Sequence, residues 1–143
     1  TAFSNQILAF NTLSEGLRSV LLNLKAEHTA ANLATQYRKD SGKAPNAVHP
    51  VIREHDETHE KALFVCRAFT SRFQGWGVKE SQALLSFLFE HSVRPEFQAR
   101  HHWQNGDLVM WDNRSVLHFA VHDHSDDEPR RIHRLQVEGT VPV

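Results

Sequence analysis

Phe3, Ile7 and Phe10, and then Leu17, Val20, Leu21 and Leu24, recur at three- and four-residue spacing. That is the period of an amphipathic helix, so the pattern predicts helices over residues 2–10 and 14–25. Ser14 is placed to cap the second, with Glu15 favourably charged in its first turn. A polar tract over 29–45, ending in Ser41-Gly42-Lys43-Ala44-Pro45, breaks the pattern and predicts a mobile connection or lid that governs access and carries no catalysis. From Val48 the period shortens. Residues 48–53 and 61–66 predict the two strands of a hairpin, joined through the polar residues 54–60. Residues 79–91 return to helical spacing, with Ala83, Leu84, Phe87 and Leu88 on one stripe. Strand-like runs follow over 97–103, 107–111 and 115–121, separated by Asn105-Gly106 and Asp112-Asn113, residues that tolerate positive φ in turns. A last run covers 131–137.

The latter half therefore reads as short antiparallel strands with one inserted helix, which predicts a mainly β fold of the jelly-roll or partial-barrel kind. No repeat or low-complexity tract divides the 143 residues, a length that suits one domain or part of one. The expected division is a helical segment and lid over 1–47 and jelly-roll strands over 48–143.

Composition changes this picture little. Sixteen basic residues against seventeen acidic ones leave a formal charge of −1, so no global field favours nucleic acid or an anionic membrane. The apolar runs fall far short of the roughly 20 residues of a membrane-spanning helix, and the first residues lack the layout of a signal peptide. The single cysteine, Cys66, excludes an intramolecular disulfide and a cysteine-based zinc site, and is expected on a buried strand in a reducing, cytoplasmic protein. The chain opens on Thr1, and its only methionine is Met110, so an incomplete N-terminus is expected. Eleven histidines are many for this length and invite a metal hypothesis.

The richest segment runs Trp111-Asp112-Asn113-Arg114-Ser115-Val116-Leu117-His118-Phe119-Ala120, then His122-Asp123-His124 and Pro129-Arg130-Arg131-Ile132-His133-Arg134. On a strand, Arg130, Ile132 and Arg134 point to one side and Arg131 and His133 to the other. Two guanidinium groups on the inside of a barrel would demand anionic partners, which their forks match bidentately. The plainer alternative is a solvated basic edge strand paired with Asp126, Asp127 and Glu128. For His118, flanked by Val116, Leu117 and Phe119, the plainer alternative is an ordinary core histidine.

This succession resembles the taurine dioxygenase family of iron(II)/2-oxoglutarate-dependent oxygenases. Their final strands carry a Trp-Asp-Asn-Arg turn, an iron-binding histidine four residues after its arginine, and a closing pair of arginines four residues apart. His49-Pro50-Val51-Ile52-Arg53, Ala62-Leu63-Phe64-Val65, Phe69-Thr70, Pro95-Glu96-Phe97-Gln98 and Ala26-Glu27-His28 extend the resemblance along the chain. It implies a partial double-stranded β-helix, the C-terminal portion of one oxygenase domain. The cofactor would be Fe(2+), with 2-oxoglutarate as cosubstrate, O2 and a small anionic substrate as partners, and no nucleic acid or membrane. His118 would be the last ligand of a two-histidine, one-carboxylate iron site. Arg130 would hold the distal carboxylate of 2-oxoglutarate and Arg134 the anionic head of the substrate. Phe69 would line the substrate pocket, although as a bare sequence feature it reads as core packing. Trp111 reads either as a neighbour of the metal or as a core plug, and no residue is assigned as catalytic. With taurine as substrate, the resemblance implies release of sulfite and an aminoaldehyde.

The pattern also departs from the family. Its other two iron ligands form a His-x-Asp or His-x-Glu expected before Thr1; His124-Ser125-Asp126 has the right letters in a polar loop, and His55 and His59 are expected to face solvent. Asp56 and His59 stand where the family hairpin usually has proline and glycine, which bears on turn geometry. Residues 29–36 hold no aromatic where taurine-specific members have phenylalanine, so an alkyl sulfate, another sulfonate or a small carboxylate-like anion competes with taurine. Two further readings stay open: a non-catalytic remnant that binds an anion through Arg130 and Arg134, and a zinc or nickel binder using His118, His122 and His124. Barrel strands without partners would expose apolar edges and favour homo-oligomers.

Overall fold

The computed structural model describes residues 1–30, 46–123, 125 and 131–142. The first strand, β1 (Ala2–Asn5), runs into α1 (Gln6–Asn11). Sequence spacing predicted one helix over 2–10, and the difference has a clear cause. Ala2 and Ser4 are buried in alternation, and β1 is the middle strand of a sheet, between β7 (Gln98–Arg100) and β8 (Val116–Phe119). Its partners are distant in sequence, so local spacing could not reveal them. Asn5 ends the strand and starts the helix: its Oδ1 accepts from the N–H groups of Ile7 and Leu8 at 2.9 and 3.0 Å, satisfying donors with no partner inside α1.

Helix α2 (Glu15–Leu21) begins at the expected cap, Ser14, but ends earlier than predicted. Lys25 already belongs to β2 (Lys25–Thr29), which pairs with β3 (Asn46–Pro50) and β6 (Thr70–Phe73) in a second antiparallel sheet. Neither β2 nor β6 shows a strand pattern in the sequence. The run predicted over 48–53 divides at Val51, whose N–H donates to the Leu24 carbonyl at 3.0 Å and whose carbonyl accepts from Phe64 N–H at 2.7 Å. The chain thus leaves the second sheet and enters the expected hairpin, β4 (Ile52–Glu54) with β5 (Lys61–Leu63). Cys66 lies beyond β5 and is half-buried, and burial pushes its thiol pKa up.

Helix α3 (Val78–Ser92) spans the predicted segment. Its buried stripe is Ser81, Leu85, Leu88 and Ser92, whereas Ala83 and Phe87 are exposed. The predicted stripe was rotated, because Leu84, Leu85, Phe87 and Leu88 surround the helix and only packing chooses among them. A 3-10 turn (Pro95–Phe97) leads to β7 (Gln98–Arg100), and β8 (Val116–Phe119) completes the first sheet. Residues 107–111 form no strand, and neither do residues 131–137, where every residue is exposed.

Among the described residues the architecture is mainly β with a few helices: three small antiparallel sheets, and one apolar cluster built from the helices and the second and third sheets. The described strands do not close into the expected jelly roll. Among the described residues, the core runs from Ala9 to Phe97 and takes nothing beyond it. No helix among the described residues is long and apolar enough to cross a membrane.

Candidate functional site

His118 lies on β8 opposite Phe3 of β1. The turn before β8 is built by Asp112, whose Oδ1 accepts from Arg114 N–H at 2.8 Å and whose carbonyl accepts from Ser115 N–H at 3.2 Å. An aspartate that binds the backbone two residues on is turn chemistry, as the Asp-Asn pair suggested. The turn folds Trp111 back toward the strand it precedes. The indole centroid stands 5.0 Å from the His118 ring and 5.2 Å from Phe3, and its N–H donates to Asn113 Oδ1 at 2.9 Å. Trp111 is only partly buried and rests on His118 and Phe3, so its core-plug reading is not met.

His118 itself is exposed on β8; partial desolvation of its ring lowers its pKa below the ordinary value, and the positive charge of Arg134 lowers it further. Both effects favour a neutral imidazole, the form with a lone pair to give a metal. Arg134 is exposed and donates to Gln136 Oε1 at 2.6 Å. It lies outside any strand, so the alternation argued for Arg130, Ile132 and Arg134 does not hold at its end. Arg130 itself, with His124 and residues 126–129, lies outside the described residues, as do residues 31–45 of the expected lid. Phe69 is 40 % exposed, so its core-packing reading is not met; its carbonyl accepts from Thr29 N–H at 2.8 Å.

A set of residues not assigned to the site by the resemblance surrounds the turn. His55 is only 5 % exposed, against the expectation that it faces solvent; His59, in contrast, does face solvent. The His55 Nδ1 accepts from the N–H groups of Glu57 and Thr58, each at 3.2 Å. The proton is therefore on Nε2, which donates to Asp112 Oδ2 at 3.0 Å. Arg114 grips the same carboxylate through Nε and Nη2, and reaches Asp56 and Glu57 through Nη1 at 2.8 and 2.9 Å. These bonds hold the Asp112 carboxyl far below the ordinary range, Arg114 first among them. Arg53 lies nearby, 7 % exposed, its guanidinium over the Phe64 ring and its Nε without a hydrogen-bond partner.

A separate cluster lies on the second sheet. The rings of His28, His49 and Phe64 meet at 5.3–5.8 Å. The buried Nε2 of His28 has no partner, and burial, followed by the nearby His49, lowers its pKa from 6.5 to about 4.

His118 suits a metal as one ligand by its donor chemistry. Among the described residues, no group of three histidine, cysteine, aspartate or glutamate side chains could hold a metal ion. The rival cluster of His118, His122 and His124 thus gains no support, with His124 outside the described residues.

Residues 1–136 match the family described as taurine catabolism dioxygenase TauD, TfdA family. The chain is 40 % identical to an alpha-ketoglutarate-dependent 2,4-dichlorophenoxyacetate dioxygenase of Burkholderia sp. (strain RASC), over 82 % of this chain and 41 % of that protein. It is 31 % identical to an alpha-ketoglutarate-dependent sulfate ester dioxygenase of Pseudomonas putida, over 100 % of this chain and 51 % of that one. The crystal structure of a taurine dioxygenase from Burkholderia xenovorans matches with a TM-score of 0.69 and 34 % identity, over 80 % of this chain and 38 % of that one. The chain thus spans about half or less of the length of these relatives.

Proposed function

The chain belongs to the TauD/TfdA dioxygenase family, and from that premise we propose that it is one portion of an oxygenase domain that hydroxylates a small organic anion. In the overall reaction 2-oxoglutarate, O2 and a substrate C–H yield succinate, CO2 and a C–OH. Ferrous iron, when bound, supplies the oxygen chemistry; the protein supplies ligands, charge and a dry pocket. His118 would be one iron ligand. Arg130 would pair with the distal carboxylate of 2-oxoglutarate through its guanidinium fork, and Arg134 with the anionic head of the substrate. Phe69 would line the pocket.

The observation that carries this reading is the setting of His118. It stands exposed on a paired strand, against Trp111, with its basicity lowered by partial desolvation and by Arg134. Substrate class follows from the relatives' names, which specify a chlorinated phenoxyacetate, a sulfate ester and taurine. A carboxylate, a sulfate ester and a sulfonate each present one negative charge spread over oxygens, which suits a single arginine.

The test uses the full-length protein with ferrous iron, 2-oxoglutarate, O2 and a panel of sulfonates, alkyl sulfates and aryloxyacetates. Succinate is expected only with ferrous iron, and His118→Ala is expected to abolish it. Arg130→Gln should raise the 2-oxoglutarate requirement, because the bidentate partner of its distal carboxylate is lost. Turnover without metal, or full activity in His118→Ala, would overturn the proposal.

A further inference from the structure

The turn that delivers His118 is fastened to a hairpin far away in sequence. We propose that His55, Asp56 and Glu57, between β4 and β5, are positioning residues: through Asp112, Arg114 and Trp111 they set the orientation of the His118 imidazole. The inference rests on the reading of His118 as a metal ligand.

Three features of the contacts carry it. First, Arg114 is fully engaged, with Nε, Nη1 and Nη2 all donating to Asp112, Asp56 or Glu57. A guanidinium so occupied, one positive charge among three carboxylates, does not attract an anionic cosubstrate. It joins two segments. Second, His55 is a rigid donor. Two backbone N–H groups of its own turn hold Nδ1, and the ring is almost wholly buried, so Nε2–H reaches Asp112 from a set direction. Third, Trp111 moves with the turn, because its N–H is tied to Asn113 within that turn. Its ring contacts both His118 and Phe3, the pair that faces across β1 and β8. A displaced turn therefore presses Trp111 into, or withdraws it from, the imidazole of His118. Groups that orient a metal-binding histidine from outside the ligand shell commonly matter by about 10- to 100-fold in metal affinity.

The experiment compares His55→Leu, which removes the donor, with His55→Gln, which keeps an N–H for Asp112, in the full-length protein. Two quantities are read. One is the NMR shift of the His118 ring protons, identified by their loss in His118→Gln and displaced by the ring current of Trp111. The other is the dissociation constant for ferrous iron in the absence of oxygen. His55→Leu is expected to move the His118 resonances and weaken iron binding roughly 10-fold, with His55→Gln restoring most of both. Unmoved resonances and unchanged iron affinity in a folded His55→Leu would overturn the proposal. If His55→Leu does not fold, the exposed pair Asp56→Asn with Glu57→Gln decides in the same way. Failure of the underlying reading looks different: His118→Ala would then bind iron as tightly as the parent protein.

Discussion

At His59 the backbone takes φ +59°, the left-handed region that costs a residue with a Cβ about 1–2 kcal/mol. The side chain is 74 % exposed, and its contact with Glu54 at 3.2 Å is worth little in water. The position is one where the family hairpin usually has glycine, a residue that takes this conformation without strain. We predict that His59→Gly raises unfolding stability by up to about 1 kcal/mol, the strain relief being partly offset by glycine's larger freedom when unfolded. Urea denaturation measures it, and a clear loss of stability would show that the histidine makes a contact worth more than the strain. His55, four residues earlier, teaches the opposite lesson. It carries the same side chain in the same polar tract, yet it is buried because a carboxylate from residue 112 meets it.

At the scale of elements, the second sheet places His28 of β2 against His49 of β3 and Phe64, just beyond β5. The pKa of His28 in the folded state, about 4, lies below its ordinary 6.5. Between those values the unfolded chain binds a proton that the folded chain excludes, so stability rises with pH there and falls as pH drops from 6.5 toward 4. The contribution is on the order of 2 kcal/mol once partial exposure of the ring is allowed for. His28→Phe should flatten the stability profile between pH 7 and 4 relative to the parent chain. Parallel profiles, measured by urea denaturation at several pH values, would place the acid sensitivity elsewhere. The same sheet shows why β2 and β6 escaped the pattern: Lys25–Thr29 and Thr70–Phe73 are mostly polar and half-covered, so hydrogen-bonded neighbours make them strands where alternation does not.

Over the whole molecule, apolar side chains divide unevenly. The core ends at Phe97, while Leu108, Met110, Leu135 and Val137 are 89–99 % exposed. Surface of this kind favours association. Ligands are divided as unevenly, since His118 has no set of companions among the described residues. We therefore predict that these 143 residues alone bind ferrous iron weakly and show no coupled turnover, because affinity depends on ligand number and orientation. The check is to add ferrous iron and 2-oxoglutarate without oxygen, look for the charge-transfer absorption of the chelate, then admit oxygen and measure succinate. A stoichiometric chelate that yields succinate and depends on His118 would refute it.

What the sequence determined by itself was whatever is local or carried by a motif. The Ser14 cap, the β4–β5 hairpin, the extent of α3, the turn at Asp112 and the family all follow from neighbouring residues. What only the tertiary structure decided was whatever depends on distant partners. Ala2–Asn5 is a strand because β7 and β8 flank it; residues 131–137 are not, although their alternation suggested one, because no described strand pairs with them. The face of α3 that is buried, the burial of His55 and the fastening of the Asp112–Arg114 turn to the hairpin belong to the same class. Periodicity records which residues could share a face, but a strand pair, a buried stripe or an ion cluster exists only when a segment many residues away supplies the other half.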